Sequence, residues 1–143
     1  MTFLYVIHLL TCCFMTGLIW FVQIVHYPLF VLIPTEDFSH YHKQHVMRTG
    51  WVVVAPMLME IVLAFSLFAL TPSGVEKIVA FIGLLLLGVI WLSTFFSQVP
   101  SHNQLAISFS EESWKRLVQW NWVRTIGWTL RVPLASWMLI HTI

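Results

Sequence analysis

Apolar residues run almost unbroken through four stretches of this chain, and the ionisable residues gather mainly in two of the three connections between them. The first stretch covers about 3–25, with Tyr5, His8, Thr11, Thr16 and Gln23 as its polar interruptions. The others cover about 36–70, 75–98 and 111–140. A helix crossing a bilayer needs roughly 20 apolar residues, and each stretch supplies them. The pattern predicts an all-α fold, a four-transmembrane-helix bundle filling a single integral membrane domain over 1–143.

Local signals place the boundaries. Thr35-Glu36-Asp37 reads as a helix start, with Thr35 or Asp37 as the capping side chain and acids in the first turn. Phe38 to Arg48 is amphipathic and histidine-rich, an interfacial extension before helix two enters the bilayer. Pro56 removes a backbone donor inside that helix and predicts a kink. Thr71-Pro72-Ser73-Gly74 is a turn. Val99-Pro100-Ser101-His102-Asn103 reads as the end of helix three, Gln104 to Ser110 as a short segment, and Ser110-Glu111-Glu112 as the start of helix four.

Composition sharpens the membrane reading. Only 9% of residues are charged, against about 25% in soluble domains. The net charge of +1 offers no basic surface for nucleic acid. The start of the chain has no Lys or Arg before a long apolar run, so that run reads as a retained helix rather than a cleaved signal. Cys12 and Cys13 are neighbours, a spacing that rarely bridges, and are expected as free thiols. Four crossings put connections one and three on the same side. Lys43, Arg48, Lys115, Arg116 and Arg124 belong to that side and Lys77 to the other, so the positive-inside rule predicts connections one and three in the cytoplasm and both termini outside.

The side shared by those connections collects the candidate chemistry. His26, His40, His42, His45 and Arg48 come from the first connection, and His102, Asn103, Asn121 and Arg124 from the third or its borders. His42 and His45 are three apart and share a helical face. Three uses of these histidines stay open: ordinary interfacial hydrogen bonding, a neutral imidazole acting as general base, or a zinc, copper or iron site made by His26, His42, His45 and His102. Haem is not favoured: it wants two residues facing each other at one depth, and the partner for His8 is the nearly terminal His141.

Helix four carries Asn121, Arg124, Trp128 and Arg131 at spacings of three, four and three, which is one stripe. An amide, two guanidiniums and an indole there suit an oxygen-bearing aromatic ligand, whose phenolate or enolate the guanidiniums stabilise. Trp114, Trp120 and Trp122 read as interfacial anchors. Glu60 lies twelve residues beyond Arg48, roughly 18 Å deeper, and Arg131 seven beyond Arg124, roughly 10 Å deeper. Arginine's length brings the two within reach. The pair reads as a structural clamp or as a proton-accepting carboxylate tuned by its arginine; the alternative is snorkelling to the lipid surface.

Val99-Pro100-Ser101-His102-Asn103-Gln104-Leu105, then Trp114, then Trp120-Asn121-Trp122-Val123-Arg124-Thr125, resembles the C-terminal half of the anthrone-oxygenase-like family of small four-helix membrane proteins, with Gly17 and Pro28 also similar. Asn103, Asn121 and Arg124 fill its polar positions. The resemblance implies a cofactor-independent oxidoreductase: a base takes an acidic proton from a hydrophobic aromatic compound, and the carbanion reacts with oxygen. His102 beside Asn103, Arg131 and the His42/His45 pair depart from the family pattern. On this reading His42, His45 or His102 is the base and Arg124 assists. Asn103, Asn121 and Trp128 bind substrate, while Arg131 and Glu60 hold its deeper end. The partners are the bilayer and a hydrophobic small molecule. The alternatives are the metal-dependent redox protein and a non-enzymatic membrane subunit, and the sequence leaves a homo-oligomer open.

Overall fold

The computed structural model describes residues 1–142. Its long helices are α1 (Thr2–Phe21), α2 (Thr35–Leu70), α3 (Val75–Ser93) and α5 (Glu111–Thr142), with a short α4 (Val99–Leu105) before the last. Helix α2 packs between α1 and α3, and α5 packs against the same two from the opposite side. Three helical runs, Thr2–Leu32, Thr35–Leu70 and Val75–Leu105, are long and apolar enough to cross a membrane. The surface suits lipid: Leu10, Trp51, Val62, Phe65, Leu92 and Phe96 are all exposed, a density of apolar surface that a water-soluble monomer does not carry.

The buried seams explain the packing. Helix α5 buries Leu117, Asn121, Arg124, Trp128, Arg131, Ala135 and Met138, and α1 buries Tyr5, His8, Cys12, Met15 and Ile19. Both alternate steps of three and four, the seam of helices packed nearly antiparallel with side chains interlocking. One apolar cluster runs from Cys12 and Met15 through Phe30 and Phe38 to Leu117 and Trp128; a smaller one joins Tyr5, Leu67, Ala80 and Met138. At that second end Tyr5 Oη lies 3.1 Å from Thr71 Oγ1. At the first end Ser39 donates to the Ala106 carbonyl at 2.7 Å, and Trp114 Nε1 to the Tyr27 carbonyl at 2.8 Å. Connections one and three therefore lie together at one end of the bundle.

Three local expectations need correction. The N-cap of α2 is Pro34, and neither Thr35 nor Asp37 makes a capping bond, although Glu36 and Asp37 do occupy the first turn. The third helix does not stop at Val99-Pro100: a π-helical turn, Thr94–Gln98, carries it into α4, with Pro100 just past the junction. Helix α1 likewise continues through a π-helical turn, Val22–His26, into a 3-10 turn, Pro28–Leu32. The start of α5 matches its reading, with the Ser113 amide donating to Ser110 Oγ at 3.4 Å.

Candidate functional site

Each π-helical turn adds a residue to the helical circuit and rotates the helix beyond it. The two turns lie on α1 and α3 at the same end of the bundle. They turn Gln23 and Tyr27 inward from one side, and Gln98 and Ser101 from the other. Between them lies a cavity of about 150 Å³. Its walls are largely apolar, among them Met15, Ile19, Val22, Val53 and Val99, and its polar rim is Tyr27, His45, Thr49, Gln98, His102 and Arg124.

The rim is held from outside. Gln23 Nε2 donates to the Val118 carbonyl at 3.2 Å, and its Oε1 accepts Asn121 Nδ2 at 2.8 Å. Asn121 Oδ1 in turn accepts Arg124 Nη1 at 3.3 Å. The Arg124 guanidinium stands beside the Tyr27 hydroxyl, which lies 3.0 Å from His102 Nε2. Arg124 Nε and Gln98 Oε1, both buried, have no hydrogen-bond partner among the described residues. A buried donor and acceptor left open in the walls of one cavity point to a polar group or water between them.

The four histidines meet as two close pairs. His26 Nε2 lies 2.6 Å from His45 Nδ1, which also faces Thr49 Oγ1 at 3.1 Å. His42 Nε2 lies 3.2 Å from His102 Nδ1 and 3.2 Å from the His102 carbonyl oxygen. His42 stacks on Phe38 on one face and His102 on the other. It is wholly buried and outside the cavity lining. In each pair the closest nitrogens face one another, an arrangement for hydrogen bonding within the pair.

The remaining expected residues divide by depth and face. Asn121 braces Arg124 from behind. Asn103 is exposed on α4, because Ser101 and Leu105 take the inward positions of that short helix. His40 and Arg48 line an open groove outside His26 and His45. Trp114 Nε1 holds the Tyr27 carbonyl, and Trp120 and Trp122 are exposed.

Trp128, Arg131 and Glu60 lie at the deeper level. Arg131 makes an ion pair with Glu60 Oε2 and donates to the Gly83 carbonyl, and its guanidinium lies 5.4 Å from the Trp128 ring. His8 and Cys12 join this group. His8 Nδ1 lies 3.2 Å from Glu60 Oε2, and Cys12 Sγ donates to the same oxygen at 3.4 Å. Sequence reasoning weighed His8 only as a disfavoured haem ligand and Cys12 only as a free thiol, and placed neither beside Glu60. Their signal was available: they lie four apart, on the inward stripe of α1.

Comparison with protein-family models, curated proteins and solved structures finds no match for this chain.

Proposed function

We propose that this chain is a four-crossing membrane protein that binds an oxygenated aromatic compound in the cavity between the two π-helical turns and removes a proton from it for reaction with oxygen. The observation that carries the reading is the cavity itself: apolar walls, a rim of His45, His102, Tyr27 and Arg124, and an unpartnered Arg124 Nε and Gln98 Oε1. An apolar cavity of roughly 150 Å³ admits one benzene-sized ring. One ring of the substrate enters, and the rest extends through the opening.

His45 is the base. In the tautomer in which Nδ1 donates to His26 Nε2, the other nitrogen, Nε2, is left as an acceptor. His26 then orients the base as the third member of a catalytic triad does. Arg124 and Tyr27 stabilise the enolate or phenolate oxygen, and His102 holds Tyr27. The balance for a ring methylene is simple: CH₂ and O₂ give C=O and H₂O. His45 takes the first proton, the carbanion forms the C–O bond, and loss of water from the hydroperoxide completes the ketone.

The fourth crossing is α5. Its 32 residues span roughly 48 Å at helical rise. Arg124 and Arg131 point inward, while Ile126, Leu130 and Ile140 face out. Lys43, Lys115 and Arg116 favour a cytoplasmic mouth.

Oxygen uptake by the purified protein in micelles, with anthrone as carbon acid, tests the reading. Wild type should consume one O₂ per ketone formed, and His45→Ala and Arg124→Gln should lose the activity while keeping their helical circular dichroism. Absence of both oxygen uptake and quenching of tryptophan fluorescence by phenolic ligands in the wild type sinks it.

A further inference from the structure

Midway along the bundle the inward stripes of α1, α2 and α5 carry polar groups where apolar ones normally pack. His8, Cys12, Glu60 and Arg131 are all buried. None of them lines the cavity at the π-helical turns. His8 Nδ1 lies 3.3 Å from Glu60 Oε1, and Cys12 Sγ lies 3.9 Å from His8 Nδ1 and 3.4 Å from Glu60 Oε2. One ligand atom from each of the three residues falls within 4.8 Å of the others. Nitrogen, oxygen and sulfur ligands bind an ion at ~2.0–2.3 Å, which sets them roughly 3.3–3.8 Å from one another. The triangle is already close to that size.

We propose that His8, Cys12 and Glu60 form a binding site for copper(I), independent of the chemistry assigned to the loop-end cavity. Softness and charge together select the ion. A thiolate with an imidazole is a soft donor set, which favours a soft cation. Charge selects its valence. A ligating imidazole is neutral and a ligating thiol deprotonated, so Glu60 and the Cys12 thiolate against Arg131 leave one net negative charge. Copper(I) cancels it, and the thiol proton leaves to solvent as the Cu–S bond forms. The copper remains in its +1 state, so no electron moves. A divalent ion adds one uncompensated charge to a buried site, which a low-dielectric interior resists.

Arg131 does not occupy the whole carboxylate. It is anchored on Oε2 and on the Gly83 carbonyl, which leaves Oε1 to face His8. An arginine gripping the back of a ligating carboxylate orients it, as outer partners commonly do. On the side away from the loops, His8 and Arg131 line a small void of about 10 Å³ together with Met138, whose thioether suits the approach of the same soft ion.

The test uses the full chain in micelles, without oxygen, supplied with cuprous ion as its acetonitrile complex in competition with a colorimetric cuprous chelator. Wild type should retain one copper per chain, with sulfur among its neighbours by X-ray absorption. Cys12→Ser keeps a hydroxyl donor toward Glu60, so its fold should persist by circular dichroism and thermal melting. Its copper affinity should fall by more than the ~10–100-fold that an outer-partner change costs. His8→Gln should behave alike, and Cys13→Ser should match wild type. No copper retained by wild type overturns the site and leaves a packed ion-pair clamp. Preferential retention of zinc overturns the choice of copper(I). Copper lost in His26→Ala but kept in Cys12→Ser overturns the location.

Discussion

Glu60 and Arg131 bear the largest single-residue consequence. Each is almost fully buried, and each neutralises the other. Removing one partner of a buried pair strands a charge, at a cost of about 3–5 kcal/mol. Glu60→Ala in metal-free protein should therefore lower unfolding free energy in micelles by about that amount, read from denaturant titration. Glu60→Met with Arg131→Met should recover much of the loss, because no charge is left stranded. This pair was legible from sequence, since helical rise fixes depth and two charges separated by no more than an arginine side chain's reach have few other partners. His8 and Cys12 were legible in principle through their spacing of four on one stripe. Reading the adjacent cysteines only as a disulfide question hid that Cys12 points inward and Cys13 outward. Asn103 was misplaced for a related reason: residue type was read without the phase of the short helix that carries it.

At the scale of elements, helix positions were readable and helix irregularities were not. The four apolar stretches match the long helices to within a few residues. The two π-helical turns leave no hydropathy signature, because one added residue per turn changes phase and not composition. Yet they aim Tyr27 and His102 at each other. Deleting the exposed Phe96 should close the second turn to α geometry and rotate α4 by roughly 100°. Helical circular dichroism should persist while binding of a phenolic ligand, followed by tryptophan quenching, is lost; retained binding refutes the role of the turn. The contact of α3 with α5 sets a second limit. A methyl group on Gly127 would stand 2.8 Å from Ile90 Cγ1. Gly127→Ala should cost ~1–3 kcal/mol by overpacking, measured as a shift in thermal unfolding. Combined with Ile90→Ala, the total should fall short of the sum of the two single losses, since the substitutions share one contact.

For the whole molecule, hydropathy and parity anticipated the arrangement that matters most: the first and third connections at one end, the turn at Thr71–Gly74 at the other. The close approach of Ser39 to Ala106 and of Trp114 to Tyr27 requires it. A membrane adds a condition that can be checked in cells. In a Cys13→Ser background, with Cys12 left buried, single cysteines at the exposed positions Thr35, Ser108 and Ser73 should label with a membrane-impermeant maleimide in two groups. Thr35→Cys and Ser108→Cys should react from the same side, and Ser73→Cys from the opposite side. The positive-inside reading of Lys43, Lys115 and Arg116 predicts that the shared side is the cytoplasm, so the first two should label only after the membrane is permeabilised and the third without it. Labelling of all three from outside inverts nothing in the bundle but removes it from the bilayer. Labelling of Thr35→Cys and Ser108→Cys from opposite sides is incompatible with His45, Tyr27, His102 and Arg124 sharing one cavity, because those residues reach it from segments that must then leave through different leaflets.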